Sequence, residues 1–329
     1  MYKVLTNETH RNIHGGYEKM AKSKKKDKRY RQLNLFDDYN YEETYKHHLE
    51  NLSEHFIENL FFTQRYKVSY MTKVIKSGNQ KEVEIYPIFK GNELPTNIVR
   101  RKETRQEQKN LNSRNSRKML ERKVHCNFSP GDLWIHGTFS KENEPKNLED
   151  AQRLFKNFIK AINRRRKKLS LPNAKYIYVI EQGEYGTERY HVHFVMDNEL
   201  NRDEVEEKWK YGFMNAKVIS YREDENLLGI CKYMTKDPEV YKKTQFRLKG
   251  KRLWSCSKGL KGPVERTNRT AFSKKKVLEM VKHRNGIGEI LEKKYRNYSF
   301  KGVEVRYNDY NGLFYIYARM QDRRRVMRN

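Results

Sequence analysis

Cysteine is scarce in this chain, and long apolar runs are missing. Cys126, Cys231 and Cys256 are the only cysteines, and no two of them form a C-x-x-C pair. That spacing argues against a zinc ribbon or a disulfide framework and fits a reducing cytosol. No stretch approaches the ~20 apolar residues that span a bilayer, and the N-terminus lacks the apolar core of a signal peptide. We therefore expect a cytoplasmic protein with no membrane partner.

Acidic residues are also few relative to basic ones. The chain has 42 Asp and Glu against 71 Lys and Arg, which gives a formal net charge of +29 over 329 residues. Such a field attracts polyanions, and with 12% aromatic residues the natural partner is nucleic acid. The sequence has no glycine-rich loop followed by Lys-Ser/Thr, so we do not expect a fused helicase domain.

The stretch 176–196, YIYVIEQGEYGTERYHVHFVM, predicts a β-hairpin, because two apolar, β-branched and aromatic runs flank a loop with two glycines. Side chains alternate along a strand, so His191 and His193 share one face and the neighbouring apolar residues share the buried face. We expect the two imidazoles to face outward. In any even register between the two strands, Glu181 joins the histidine face. Two imidazoles and a carboxylate on one patch can bind a divalent cation.

A helix is predicted in the segment ENLLGICKYMTKD, residues 225–237. At about 100° per residue its apolar side chains form one stripe, and Tyr233 and Lys236 lie about 60° apart on the other side. A structural tyrosine would more naturally join the stripe. A tyrosine hydroxyl can act as a nucleophile, and a neighbouring ammonium can stabilise its phenolate. Tyr233 and Lys236 are therefore candidate catalytic residues.

Composition and periodicity divide the chain into four parts. Residues 1–33 are a basic arm that we expect to be disordered. Residues 34–104 are predicted to hold an amphipathic helix and a β-hairpin. Residues 105–263 open with a polar helix and continue as strand, helix, strand, strand, helix, strand, helix. Residues 264–329 form a small extension with a helix and a hairpin. We expect an α+β fold with a central antiparallel sheet and helices on one face.

His-x-His on a strand followed by Tyr-x-x-Lys on a helix resembles the HUH endonuclease superfamily, specifically its single-tyrosine rolling-circle replication initiators. The run NFSPGDLWIHGTFS (127–140) is similar to the first motif of initiators from Gram-positive phages and plasmids. The run KGKRLWSCSKGLKGP (249–263) is similar to the segment that follows their tyrosine helix. The resemblance covers residues 105–263. Each motif is weak alone, but their order and spacing together are specific.

The resemblance implies an RRM-like sheet topology and a reaction in which Tyr233 becomes linked to a 5′ phosphate and frees a 3′-OH. It gives His191 and His193 the role of metal ligands. Imidazole ligands favour Mn²⁺ over Mg²⁺, whereas cellular abundance favours Mg²⁺. The implied substrate is single-stranded or origin DNA. The implied partners are a host helicase and a DNA polymerase that extends the 3′-OH.

Two features depart from the family pattern. Glu181 stands somewhat farther upstream of His191 than the acidic ligand of many relatives, so Glu184 remains an alternative ligand. In the first motif His136 replaces a threonine, while Thr138 is kept. His136 and Thr138 share a strand face and are able to line the active site. For His136, a simple surface or core substitution is the favoured interpretation.

The segment after the tyrosine helix suggests a nucleic-acid surface through Arg252, Trp254 and Lys258; an ordinary basic edge is the alternative. Within the same chemistry, a mobilisation relaxase or a single-tyrosine transposase is also possible. From a different class, the chain could be a non-catalytic nucleic-acid-binding protein on a related sheet. Composition supports that alternative equally well.

Overall fold

A computed structural model describes residues 68–89, 106–182, 189–220, 226–235, 253–308 and 313–323. The predicted basic arm and the predicted N-terminal helix lie outside these ranges. So do Glu184, Lys236 and Arg252.

The described chain is an α+β fold with two five-stranded antiparallel sheets, which confirms the predicted class. The strands are β1 (Val68–Ser77), β2 (Gln80–Phe89), β3 (Leu133–Thr138), β4 (Tyr176–Gln182), β5 (Tyr190–Met196), β6 (Met214–Val218), β7 (Ser255–Cys256), β8 (Val264–Asn268), β9 (Tyr298–Asn308) and β10 (Leu313–Asp322). The helices are α1 (Gln106–Asn127), α2 (Leu148–Lys168), α3 (Arg202–Glu207), α4 (Asn226–Thr235), α5 (Lys274–Lys282) and α6 (Ile287–Lys294). No helix in these ranges is long and apolar enough to cross a membrane.

The first sheet, here called the central sheet, has the strand order β6-β3-β5-β4-β7. One of its faces packs on α2, whose Phe155, Phe158 and Ile162 are buried against apolar side chains of β3 and β5. Asn147 starts this helix, because its side chain accepts a hydrogen bond from the Asp150 backbone N–H at 2.9 Å. The order of elements from β3 to α4 is the predicted one.

The opposite face of the central sheet is covered in part by α1 and α4. Ile177, Val179 and Val195 of the sheet are buried in one apolar cluster with Leu120 of α1 and Cys231 of α4. The sequence predicts helices on one face of the sheet. Helix α2 lies on that face, while α1 and α4 form a partial layer on the other face. This layer decides which part of the histidine face stays open.

The second sheet, here called the accessory sheet, has the order β8-β1-β2-β10-β9. Its N-terminal hairpin β1–β2 and its C-terminal hairpin β9–β10 are hydrogen-bonded to each other through β2 and β10. Helices α5 and α6 complete its apolar core. The sequence predicts both hairpins but shows no sign that they pair. From the sequence, residues 34–104 and 264–329 are predicted to be separate units. In the structure, the described strands of both belong to one sheet.

Helix α1 connects the two sheets. Its Leu120 side belongs to the apolar cluster beneath α4, and its Arg122 forms a buried bidentate ion pair with Glu82 of β2, with both contacts at 2.8 Å. The β1–β2 turn fits closely against the end of α1. Gly78 has a φ of +58°, and a Cβ there would lie 1.9 Å from the His125 carbonyl oxygen. Only glycine satisfies both conditions.

The basic run 164–168 predicts a solvated end for α2, but that expectation is wrong for Arg166, which is fully buried. Arg166 lies four residues after Ile162 and so shares the face that packs on the sheet. Its guanidinium forms an ion pair with Asp197 and donates a 3.2 Å hydrogen bond to the Asp197 carbonyl oxygen. A buried charge requires such partners.

Candidate active site

Strand register brings the predicted ligands together on one face of the central sheet. Glu181 of β4 lies directly opposite His191 of β5, which is an even register. On its other side, β5 pairs with β3 so that His191 lies opposite Thr138, and His193 lies opposite His136. The predicted placement of Glu181 on the histidine face is confirmed.

Glu181 and His193 are in direct contact. Oε1 of Glu181 lies 2.7 Å from Nε2 of His193, and the two residues are only 8% and 2% exposed. The expectation that both imidazoles face outward is therefore wrong for His193, because α4 folds over it. His191 stays half-buried. Burial lowers its pKa from the ordinary value, and the neighbouring His193 lowers it further.

Tyr233 of α4 lies over this cluster. Its ring centroid is 5.1 Å from that of His193, and the two rings meet edge to face at 84°. It also contacts Trp134 of β3, with ring centroids 6.0 Å apart. The buried residues Cys231 and Met234 anchor the other side of the helix in the apolar cluster. Tyr233 is thus off the apolar stripe, as the helical period predicts.

His136 extends the histidine cluster toward β6. Its ring stacks on His193 with centroids 4.6 Å apart at 11°, and on His191 with centroids 5.6 Å apart at 29°. His136 therefore lies in the site, contrary to the favoured interpretation of a simple surface or core substitution. Thr138 has a different place: its hydroxyl donates a 3.3 Å hydrogen bond to the Phe213 carbonyl oxygen.

An open pocket of about 280 Å³ joins the candidate nucleophile to His136 and His193. Its lining residues are Trp134, His136, His193, Phe213, Asn215, Lys217 and Tyr233. Sequence reasoning missed four of them, namely Trp134, Phe213, Asn215 and Lys217. Alternation along β3 places Trp134 on the face of His136, and this signal could have found it. Phe213, Asn215 and Lys217 could not be found in this way, because their nearness to His136 depends on the pairing of β6 with β3.

Residues 132–238 match the family model of the replication-associated protein ORF2. The match supports a role in DNA replication initiation. It covers about a third of the chain. Neither a curated protein nor a solved structure matches the sequence.

The matched residues include all those that line the pocket and every predicted catalytic and metal-binding residue. The match ends before the run 249–263, which carries the predicted DNA-binding residues. Of these, Trp254 donates a 3.0 Å hydrogen bond to the Ser116 carbonyl oxygen of α1. Lys258 is exposed just beyond β7, at the sheet edge opposite β6. The structure therefore does not bring Trp254 or Lys258 to the pocket.

The donor set of the cluster suits a divalent ion. Imidazole nitrogens and a carboxylate are ligands for Mn²⁺ and related metals. Nδ1 of His191 and Nδ1 of His193 are buried and lack a hydrogen-bond partner among the described residues. As the described side chains stand, no group of three or more His, Cys, Asp or Glu is arranged to hold an ion. Glu181, His191 and His193 are the side chains that would hold such an ion.

Proposed function

We propose that this protein starts rolling-circle replication by nicking and rejoining single-stranded origin DNA, with Tyr233 as the nucleophile. The observation that carries the proposal is the position of Tyr233: its ring lies 5.1 Å from that of His193, above a sheet face that also holds Glu181, His136 and His191. A nucleophile beside a patch of possible metal ligands is an arrangement that can carry out phosphodiester transfer.

The covalent step is a phosphoryl transfer. The Tyr233 oxygen attacks the scissile phosphorus and forms a P–O bond, while the bond from phosphorus to the 3′ oxygen breaks. The tyrosine proton passes to solvent, and the leaving 3′ oxygen takes up a proton to become a 3′-OH. The 5′-phosphotyrosine keeps the bond energy, so a 3′-OH can later displace the tyrosine and reseal a strand.

The side chains of Glu181, His191 and His193 are proposed to hold one divalent ion, Mn²⁺ or Mg²⁺. When bound, this ion supplies Lewis-acid polarisation of a non-bridging phosphate oxygen. His136 stacks on both histidines and restricts the ways in which their rings can turn. Lys236 follows α4 in sequence and lies outside the described residues; its proposed role is to stabilise the charge that develops at the phenolate.

The freed 3′-OH serves as a primer for a host polymerase, and unwinding is left to a host helicase, since the sequence has no nucleotide-binding loop of its own. A mobilisation relaxase or a single-tyrosine transposase would use the same chemistry. The replication-associated match favours the initiator over these two.

A nicking assay tests the proposal. End-labelled single-stranded DNA carrying the origin of the replicon is incubated with protein and Mn²⁺, with or without EDTA, and resolved on a denaturing gel. We expect cleavage with Mn²⁺ and none with EDTA. His191→Ala and His193→Ala should each abolish cleavage.

The same variants separate catalysis from DNA binding. Neither histidine contributes much to the cationic surface, so both variants should bind the DNA within about twofold of the unmodified protein. His283→Ala, at the end of α5 and outside the pocket, is the matched control and should cleave normally. Binding that falls together with cleavage would mean that the histidines are structural. No cleavage by the unmodified protein with either metal would favour the non-catalytic DNA-binding alternative.

A further inference from the structure

The open side of the candidate site carries an exposed aromatic residue. Phe213 precedes β6, lines the pocket and is 66% exposed. Burial of a phenylalanine side chain is worth roughly 2–3 kcal/mol, so a ligand that covered this ring would gain affinity from the contact. The neighbouring Asn215 and Lys217 are also exposed and line the same pocket.

Phe213 is held rigidly although its ring is exposed. Its carbonyl oxygen accepts two hydrogen bonds from Thr138, one from the backbone N–H at 2.8 Å and one from the hydroxyl at 3.3 Å. One step away, the Ser140 N–H donates a 2.7 Å hydrogen bond to the Tyr211 carbonyl oxygen. Gly212, between them, has a φ of +155°, and a Cβ there would lie 2.4 Å from the Thr138 carbonyl oxygen. The backbone that carries the ring is therefore held in a fixed position.

Strand pairing aligns the exposed residues of β6 with the catalytic ones. Asn215 lies opposite His136, which in turn lies opposite His193. Lys217 lies opposite Trp134, whose ring is 6.0 Å from that of Tyr233. Two adjacent rows of the sheet thus run from the edge strand to the residues around the candidate nucleophile. A ligand lying along β6 would reach Tyr233 without leaving the pocket.

We infer that Phe213, Asn215 and Lys217 form a subsite for one nucleotide of single-stranded DNA next to the phosphate that Tyr233 attacks. Phe213 stacks on the base, Lys217 pairs with a phosphate, and the Asn215 amide offers a donor and an acceptor to the base edge. The inference rests on the proposed function for the position of that phosphate. The recognition itself depends only on the pocket.

The chemistry of the surface favours a single strand over other ligands. Unpaired bases stack on aromatic side chains, whereas a duplex hides its base faces. A pocket of about 280 Å³ is close to the volume of one nucleotide. The net charge of +29 makes an anionic polymer the natural ligand.

Two probes separate base stacking from phosphate contact. One is a fluorescein-labelled oligothymidylate of about 10 nucleotides, within the about 4–16 nucleotides that single-strand sites cover. The other is an oligomer of the same length whose sugars all lack bases. Binding is measured by fluorescence anisotropy in EDTA with the full chain, so the result does not depend on metal or cleavage.

We expect Phe213→Ala to weaken binding of oligothymidylate by about 5- to 100-fold and to leave binding of the base-free oligomer unchanged, because only the stacking contact is lost. Phe213→Tyr should restore oligothymidylate binding to within about twofold. Lys217→Ala should weaken both probes equally, because it removes a phosphate contact. Leu169→Ala, which removes another exposed apolar side chain at the end of α2, is the control and should change neither.

Equal binding of oligothymidylate by Phe213→Ala and the unmodified protein would overturn the subsite. So would an equal loss on both probes, because the defect would then not concern the base. Either result leaves the nicking assay untouched. A Phe213 effect confined to the probe with bases supports the subsite even if no nicking is found, so the two proposals fail separately.

Discussion

At the residue scale, the proposed metal site depends on which carboxylate joins the histidine cluster. Glu181 lies opposite His191 and contacts His193 at 2.7 Å, whereas Glu184 lies outside the described residues. The position of Glu181 was predictable because side chains alternate along strands, so any even register places it on the histidine face. The burial of His193 was not predictable, because it depends on α4 folding back over the sheet.

The two glutamates can be distinguished by calorimetric titration with Mn²⁺. We expect one site per chain in the unmodified protein. Glu181→Ala should weaken Mn²⁺ binding about 10-fold or more, since it removes the carboxylate beside His193. Glu184→Ala is the matched control and should have the smaller effect. The reverse order would move the acidic ligand into the loop.

At the element scale, α1 was predicted as a helix, but its position between the two sheets was not. Its surface is polar, and no pattern in the sequence indicates a partner for Arg122. In the structure, Arg122 and Glu82 pair in a nearly dry interface, and the Tyr317 hydroxyl donates a 2.9 Å hydrogen bond to the same carboxylate. Burial works to raise the pKa of Glu82, but hydrogen bonds from Arg122 hold it below its ordinary value. Such pairing between distant segments leaves no local pattern in a sequence.

Removing one partner of this ion pair should be costly. Glu82→Ala removes both short contacts of the buried Arg122 charge and leaves it only a 3.5 Å ion pair with Glu84, so we expect the free energy of unfolding to fall by about 3 kcal/mol. Urea denaturation followed by circular dichroism measures it. The control is Glu279→Ala, which breaks the exposed pair with Lys276 and should cost less than about 1 kcal/mol. A similar small loss for both variants would show that α1 is not held by the Arg122–Glu82 pair.

The end of α1 should make stability depend on pH. Burial lowers the pKa of His125 to about 4. The positive charge of nearby Arg319 lowers this pKa further, while the negative charge of Glu82 raises it. The pKa of a histidine in an unfolded chain is about 6.5. On acidification the unfolded chain therefore binds a proton at this histidine before the folded protein does. The stabilisation is complete above about pH 6.5 and is lost as the pH falls toward 4. We expect a loss of about 2 kcal/mol between pH 7 and pH 5 from this group.

His125→Gln tests this effect, because glutamine does not titrate. Urea denaturation of both proteins at pH 7 and pH 5 gives the free energy of unfolding at each pH. The variant should lose about 2 kcal/mol less than the unmodified protein over this interval. Parallel pH profiles for the two proteins would show that the His125 environment is not as dry as the structure indicates.

At the scale of the whole molecule, the excess of basic residues predicts how DNA binding responds to salt. Each neutralised phosphate releases counterions and contributes about −0.7 to the slope of log K against log salt for a single strand. With about five contacts, a fourfold rise in salt should weaken binding about 100-fold. Lys217→Ala should make the slope shallower by about 0.7, and Lys167→Ala, on the far side of the sheet, should not. A flat response would contradict the role assigned to the +29 charge.

Local patterns therefore predicted most of the elements and the candidate site, whereas long-range pairing could not be predicted. The antiparallel pairs β1–β2 and β4–β5 and the apolar stripe of α4 follow from alternation and helical period. The joining of β2 to β10 and the placing of β6 beside His136 are contacts between distant segments, and they have no local signature. For that reason, the sequence alone indicated Tyr233 as the candidate nucleophile, but it did not indicate that Phe213 lies beside the same pocket.

The most direct test of the central claim is to identify the residue that carries DNA after cleavage. The adduct formed with origin DNA and Mn²⁺ is digested, and mass spectrometry locates the nucleotide. We expect it on the peptide containing Gly229 to Lys236. Tyr233→Phe should fold and bind DNA normally but form no adduct, because it lacks only the hydroxyl. Tyr241→Phe, which changes the nearest alternative tyrosine, should form it normally. An adduct in Tyr233→Phe, or a nucleotide on any other peptide, would contradict the assignment of Tyr233 as the nucleophile.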